Sequence, residues 1–384
     1  MNTTGQVLRC LIAACLVAAT ACTSDSAVED GAESTLTPPE GDPVLGHRIA
    51  EGVVLDGKLW LRGGSGIYPE STGGLVSFAL SDWSRHIEFG SGVIDVERSR
   101  ETLWVLHHSS FNPRAIALTA LRSGGSQEIG RFNAPRNDLP IALLINKGNP
   151  IVLSQRAVRT WIPEMMTWRV TRLSGPLQST LGFAVNSSVG MPVSGGAIYV
   201  GFDAGEWGGG MQRIDLETGR VRKVEKADNS RRYFYGGPLQ GSLDPVTGII
   251  PDRTQTDCVL ASIGLVHLGI SSGRIVRVCD TEVSVAFENA EEVDFPGGKY
   301  LVSEAFFGLA PASEAGYWAV GITGLYQFTD NTSAPVKRDL PRLMPMERIY
   351  LSRDFSDAII LRTNINAAVS TSGYTPLVVP LDTE

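Results

Sequence analysis

A chain of 384 residues with 43% hydrophobic content is long enough to bury a large core, which excludes an intrinsically disordered protein. Lys and Arg number 33 against 41 Asp and Glu, a formal charge of −8, and this balance argues against nucleic acid as a partner. The 42 glycines and 21 prolines suit a fold with many turns.

In residues 1–22 (MNTTGQVLRCLIAACLVAATAC), Arg9 precedes an apolar run from Cys10 to Ala19, and small residues follow. That is the order of an export signal, and the run is shorter than the roughly 20 apolar residues of a membrane span. Ala19-Thr20-Ala21-Cys22 resembles the lipobox of bacterial lipoproteins, with Ala19 where that family usually has Leu. The resemblance implies lipidation of Cys22, which becomes the first residue of the mature chain. Ile12-Ala13-Ala14-Cys15 fits the box better by letter but leaves an apolar segment of only about five residues. Cleavage at an Ala-x-Ala-like site, with Cys22 a bystander, is the third reading. Thr23–Gly46 is polar, acidic and proline-bearing, which suits a flexible tether with a reach of about 25–30 Å. The expected division is a lipoprotein signal peptide at 1–21, a tether at 22–46 and a folded domain at 47–384. Loss of 1–21 removes Arg9 and no acid, which takes the charge from −8 to −9. The expected location is the bacterial cell envelope, exported and lipid-anchored on the periplasmic or extracellular face.

The domain reads as a repeat of short strands. The clearest unit is Ala197–Val224, with strands at Ile198–Phe202, Met211–Leu216 and Arg220–Val224, a glycine-rich loop between the first two and the turn Glu217-Thr218-Gly219 between the others. Taking Met211 as the anchor of a third strand, similar anchors stand at Leu75, Ile116, Trp168, Leu265, Leu325 and Tyr374. They lie about 50 residues apart, near the length of a four-stranded propeller blade. A second strand precedes each, at Leu59–Leu61, Leu103–Leu106, Ile151–Leu153, Ile198–Phe202, Val259–Ile263, Tyr317–Val320 and Ala358–Leu361. Innermost strands are fainter: Val53–Leu55, Gly92–Val96, Ile141–Ile145, Val189–Val193 and Tyr350–Leu351. Ser284–Val293 has the best helical pattern and fits a long inter-blade loop equally well.

The expected fold is therefore all-β, a β-propeller of seven four-stranded blades, with six or eight open and a pair of β-sandwiches as the competitor. Asp215–Gly219 resembles the Asp-x-x-Thr-Gly hairpins of the general propeller class. Gly205–Gly210 (GEWGGG) resembles a run in uncharacterised bacterial exported propellers, a likeness that covers one blade and implies no activity.

In propeller topology, the loops after second and fourth strands share one face. Applied to these strands, the rule gathers Ser65–Gly74, His107–Arg114, Gln155–Met165, Asp203–Gly210 and Lys226–Gly237. Tyr68, His107, His108, Trp161, Glu206, Trp207, Arg231, Arg232, Tyr233 and Tyr235 are the expected binding residues, since aromatics interspersed with Arg and Glu anchor proteins or stack on sugars. Trp207 could equally cap a seam between blades.

None of the five histidines has a metal-ligand spacing, and no nucleophile elbow, calcium loop or phosphate loop is present. No metal or cofactor is expected. Cys258 and Cys279 sit in an exported chain, so a bridge is natural. The strand assignment places them at the start of a second strand and the far end of a fourth, too far apart for one; the pairing stays open. The preferred reading is a lipid-anchored, monomeric binding or scaffold module for a protein or glycan, with no nucleic acid. The alternative is a hydrolase or lactonase-like metal enzyme with its site at the channel mouth, so enzymatic activity stays undecided and leans towards none.

Overall fold

Alternating apolar and polar residues, rich in Val, Ile and Leu, place most of the chain in strands in the computed structural model. It describes residues 44, 48–64, 73–82, 84–109, 112, 114–177, 186–226, 237–241, 243–267, 270–295, 298–312, 316–329, 334–339, 348–352, 358–364 and 377–380. These belong to one compact unit, Thr35–Glu384.

Strands β1 (Arg48–Leu55), β2 (Lys58–Gly64), β3 (Gly73–Ala79) and β4 (Arg85–Ser99) form an antiparallel sheet. The same β4 continues into a second set with β5 (Thr102–His108), β6 (Ala115–Arg122) and β7 (Gly125–Asn133). Its Arg85–Phe89 half pairs with β3, its Asp95–Ser99 half with β5, and Val93 with both. The next blade holds β8 (Pro140–Asn146), β9 (Asn149–Ser154), β10 (Ala157–Ile162) and β11 (Thr167–Arg172). After it come β12 (Asn186–Gly190), β13 (Ala197–Asp203), β14 (Met211–Asp215) and β15 (Val221–Val224). The blade of β16 (Val246–Pro251), β17 (Cys258–His267), β18 (Ile270–Cys279) and β19 (Glu282–Phe287) precedes a separate hairpin, β20 (Ala290–Phe295) and β21 (Gly298–Ser303). The last sheets are β22 (Phe306–Pro311), β23 (Tyr317–Gly321), β24 (Gly324–Phe328) and β25 (Val336–Asp339), then β26 (Arg348–Ser352), β27 (Ala358–Asn364) and β28 (Leu377–Pro380).

The first strands of these sheets adjoin one another in order. β4 lies beside β1 and β8, β12 beside β8 and β16, β22 beside β16 and β26, and β26 beside β1. Four-stranded antiparallel sheets arranged in this way are a β-propeller. The core lies in the seams between sheets. Leu106, Ile116 and Leu118 pack on Leu143 and Val152 across one seam. Tyr199 and Met211 pack on Val259 and Val276 across another. Each such side chain contributes about 1.5–3 kcal/mol by leaving water.

The Asp-x-x-Thr-Gly turn forms as its residue types require. Asp215 Oδ1 accepts hydrogen bonds from the Thr218 amide at 2.9 Å and hydroxyl at 2.7 Å. These bonds hold the Asp215 carboxyl below its ordinary range.

Four strand expectations need correction. Trp168 lies in β11, a fourth strand, because the hairpin turns at Pro163–Met166 and Ala157–Ile162 takes third place. Ser284–Val293 is neither helix nor loop: it is divided between β19 and β20. β12 ends at Gly190, short of Val193. The largest change concerns Leu265, which belongs to the second strand β17. Strands β17 and β18 run ten residues each, so Cys258 faces Cys279 directly and the two form a disulfide with Cα atoms 4.3 Å apart. The expected anchor Tyr374 lies outside the described residues.

Candidate binding site

Strict antiparallel alternation sends the connections after second and fourth strands to one end of the sheets and the remaining turns to the other. At the first end, the loop after β13 is shaped by its own backbone. Asp203 Oδ1 accepts from the Gly205 amide at 2.9 Å, a single 3-10 turn follows at Gly205–Trp207, and the Ala204 amide donates to the Gly208 carbonyl at 2.9 Å. Residues 209–210 then press on the connection leading to β16. A Cβ at Gly209 would stand 2.1 Å from the Asp244 carbonyl oxygen, so only glycine permits this approach. Folded against a backbone floor, the loop has no room for an indole beneath it. Trp207 accordingly points outward and is 68% exposed. Beside it, the Glu206 carboxylate contacts His267 Nδ1 near the tip of the β17–β18 hairpin, a bridge between neighbouring blades.

The floor is held by a buried ion pair. Arg274 on β18 donates to the Pro238 carbonyl at 2.7 Å, the Gly237 carbonyl at 2.9 Å and the Asp244 carboxylate, and both charged side chains are almost wholly buried. Burial lifts the Asp244 carboxyl above its ordinary range, even against the opposing pull of Arg274. The device recurs. Asp138, two residues before β8, pairs with buried Arg159 at 3.1 Å and accepts from the Arg156 amide at 2.7 Å. Glu304, two residues before β22, accepts from the Thr323 amide at 2.7 Å and its hydroxyl at 2.8 Å. In all three blades an acid before the innermost strand ties the incoming connection to the third strand or the loop leading into it. Its sequence signal is an acid two positions ahead of Pro140, Val246 and Phe306.

Of the expected site residues, the structure brings Glu206 and Trp207 together and adds His267. Trp161 is not part of this surface. It lies in β10, is 5% exposed, and meets Trp168 edge-on at a ring separation of 5.2 Å, so it fills a seam. His107 and His108 end β5. His107 is half-buried, with Nδ1 2.9 Å from the His108 carbonyl and Nε2 2.8 Å from Thr119 Oγ1. The carbonyl can only accept, so Nδ1 carries the proton and Nε2 accepts from the threonine hydroxyl. Burial lowers the His107 pKa, which favours this neutral form. Tyr68, Arg231, Arg232, Tyr233, Tyr235 and Cys22 lie outside the described residues.

A second group sits between the inner strands. Asp95 on β4 accepts from the Leu143 amide of β8 at 2.6 Å and lies 3.9 Å from Arg62, which pairs with Glu51 at 3.2 Å. Burial, then the negative charge of Glu51, push the Asp95 carboxyl well above its ordinary range despite Arg62. The folded chain therefore holds this proton more tightly than the unfolded chain does. The stabilisation is complete below the unfolded value near pH 4 and is lost as pH rises through the raised folded value. The denaturation midpoint should fall over that interval, and Asp95→Asn should flatten the profile. Equal pH dependence in both proteins would exclude Asp95 as the cause. Among the described residues, no group of three or more His, Cys, Asp or Glu side chains is placed to hold a metal ion.

No protein-family model matches the chain, and no curated protein is similar to it in sequence. Solved structures do match. One is a chain of the mitotic checkpoint complex, 11% identical, with a TM-score of 0.50 over 94% of this chain and 99% of that one. Another is the β-propeller domain of the trilobed protease from Pyrococcus furiosus, 8% identical, with a TM-score of 0.45 over 88% and 95%. A third, an Hsv2 variant (KlHsv2) with loop 6CD replaced by a Gly-Ser linker, is 10% identical, with a TM-score of 0.46 over 87% and 98%. The likeness is one of fold: these neighbours are β-propeller proteins.

Proposed function

We propose that this chain is a lipid-anchored, extracytoplasmic binding module, a seven-bladed propeller that holds a protein partner on the end carrying Trp207. The observation that carries the reading is a large aromatic side chain exposed on a loop whose backbone is fixed from below. Rigid, exposed aromatics of this kind supply binding energy at little cost in entropy. Propellers serve widely as protein-binding scaffolds, and one structural neighbour is a chain of a multiprotein complex. The succession of inner strands from β1 back to β26 supports seven blades. The Cys258–Cys279 disulfide supports an oxidising compartment, in keeping with the export signal and the Cys22 lipobox. A glycan is the second ligand class, because sugar rings stack on an exposed indole.

The test uses the full chain expressed with its own N-terminus. Protein recovered from membranes should carry a diacylglycerol-modified Cys22 by intact mass, and Cys22→Ala should move it to the soluble fraction. A photo-crosslinking residue at position 207 should give discrete protein adducts. Trp207→Ala should leave the thermal midpoint unchanged, since exposed substitutions cost within about 0.5 kcal/mol. An unlipidated chain would end the anchor proposal. A strongly destabilised Trp207→Ala would make the indole a structural residue and end the binding proposal.

A further inference from the structure

A cavity of about 140 Å³ opens at the opposite end, in the seam between the β16–β19 and β22–β25 blades. Its floor is apolar, made by Ile250, Leu260, Phe287 and Phe328. Tyr317 stacks on Phe328 with ring centres 4.3 Å apart and planes 8° from parallel. A cavity near 150 Å³ with such walls accommodates a single benzene ring.

The rim carries two guanidinium groups. Arg277 donates through Nε to Asp252 at 2.5 Å and through Nη2 to Thr254 at 3.3 Å, so its guanidinium is held in place. Its Nη1 makes no hydrogen bond to any described residue. Arg253 lines the cavity too, fixed by a 2.7 Å bond to the Ala312 carbonyl. Hydrogen bonds from Thr254 and Arg277 hold Asp252 below its ordinary range against the effect of burial, which keeps it ionised and Arg277 anchored. The half-buried Tyr317 hydroxyl has no hydrogen-bond partner among the described residues. Burial raises its pKa, so it remains a donor.

We propose that this cavity binds a small aromatic carboxylate, with one ring on the Phe287–Phe328–Tyr317 floor and the carboxylate on Arg277 and the Tyr317 hydroxyl. Arg in a fixed fork is the side chain suited to carboxylate recognition. Apolar walls beside converging polar groups are the form of many small-ligand sites.

The probe is phenylacetate, titrated into the full chain by calorimetry, with benzyl alcohol as the uncharged comparator. Phenylacetate should bind one-to-one at about millimolar concentration or below, and benzyl alcohol at least tenfold more weakly. Arg277→Gln should weaken phenylacetate at least tenfold and leave benzyl alcohol unchanged. Ala286 lines the cavity at an exposed position of β19, so Ala286→Trp can fill it without entering the core and should abolish binding of both. Should Arg277→Gln fail to fold, the Ala286→Trp result decides. Absence of saturable binding to wild type, or equal affinity in Ala286→Trp, would overturn the proposal.

Discussion

Asp244→Ala should destabilise the protein by about 3–5 kcal/mol, the cost of taking the carboxylate out of a buried ion pair. Arg274 is 1% exposed, and it also donates to the carbonyls of Gly237 and Pro238. Water cannot take the place of the lost carboxylate unless the connection opens. The Gln240 amide, which donates to Asp244 Oδ2 at 2.7 Å, loses its acceptor as well. Asp244→Asn keeps an acceptor and should cost less. The double variant Asp244→Ala, Arg274→Met removes both charges and should recover much of the loss, because an apolar pair of similar volume often equals a buried ion pair. Denaturant unfolding followed by tryptophan fluorescence measures all three. A loss below about 1 kcal/mol for Asp244→Ala would show that the pair is not buried as described. Asp138→Ala, facing Arg159 in an earlier blade, should behave alike.

The second large effect belongs to the disulfide. Cys258 and Cys279 close a loop with a sequence separation of 21. Cross-linking a loop of that length removes unfolded-state entropy worth about 3 kcal/mol. Reduction, or Cys258→Ser with Cys279→Ser, should lower the unfolding midpoint accordingly. The bond joins residues already paired across β17 and β18, so the folded strands should survive its loss at moderate temperature. Alkylation of the denatured, unreduced chain should find neither of these two thiols free. Two modified cysteines at 258 and 279 would refute the bridge.

Most second strands were legible in the sequence because they combine apolar runs with turn residues on both sides, as at Ile198–Phe202 and Leu103–Leu106. Where the reading failed, residue types that usually mark turns serve another purpose. Ser271, Ser272 and Gly273, residue types common in turns, lie inside β18. Ser271 Oγ accepts from the Ala305 amide at 3.0 Å, and the Gly273 amide donates to Ser303 Oγ at 2.9 Å. A Cβ at Gly273 would stand 2.5 Å from the Ala305 Cα, so the glycine makes room for the connection between β21 and β22. The β10–β11 hairpin misled for a different reason. Ala157–Ile162 and Thr167–Arg172 both alternate, and nothing local says which is third.

The candidate site was legible in part. Trp207 and Glu206 stand out in a glycine-rich loop, but His267 is distant in sequence and its approach depends on the length of β17. The recurring acids at Asp138, Asp244 and Glu304 carry a fixed offset from each innermost strand. That offset is visible only once those strands, the faintest in the sequence, are placed. Trp161 was misjudged because an aromatic residue near a turn looks the same whether it faces solvent or fills a seam.

Strand β4 serves two sheets at once, and this ties their opening together. Elsewhere a loop separates one blade from the next, so a blade can loosen while its neighbour keeps its backbone ladder. Between β3 and β5 there is no such slack: Val93 pairs with Gly73 on one side and His107 on the other. Fraying of either sheet pulls on the ladder of the other. The first two blades should thus open and exchange as a single cooperative unit, about twice the size of those that follow.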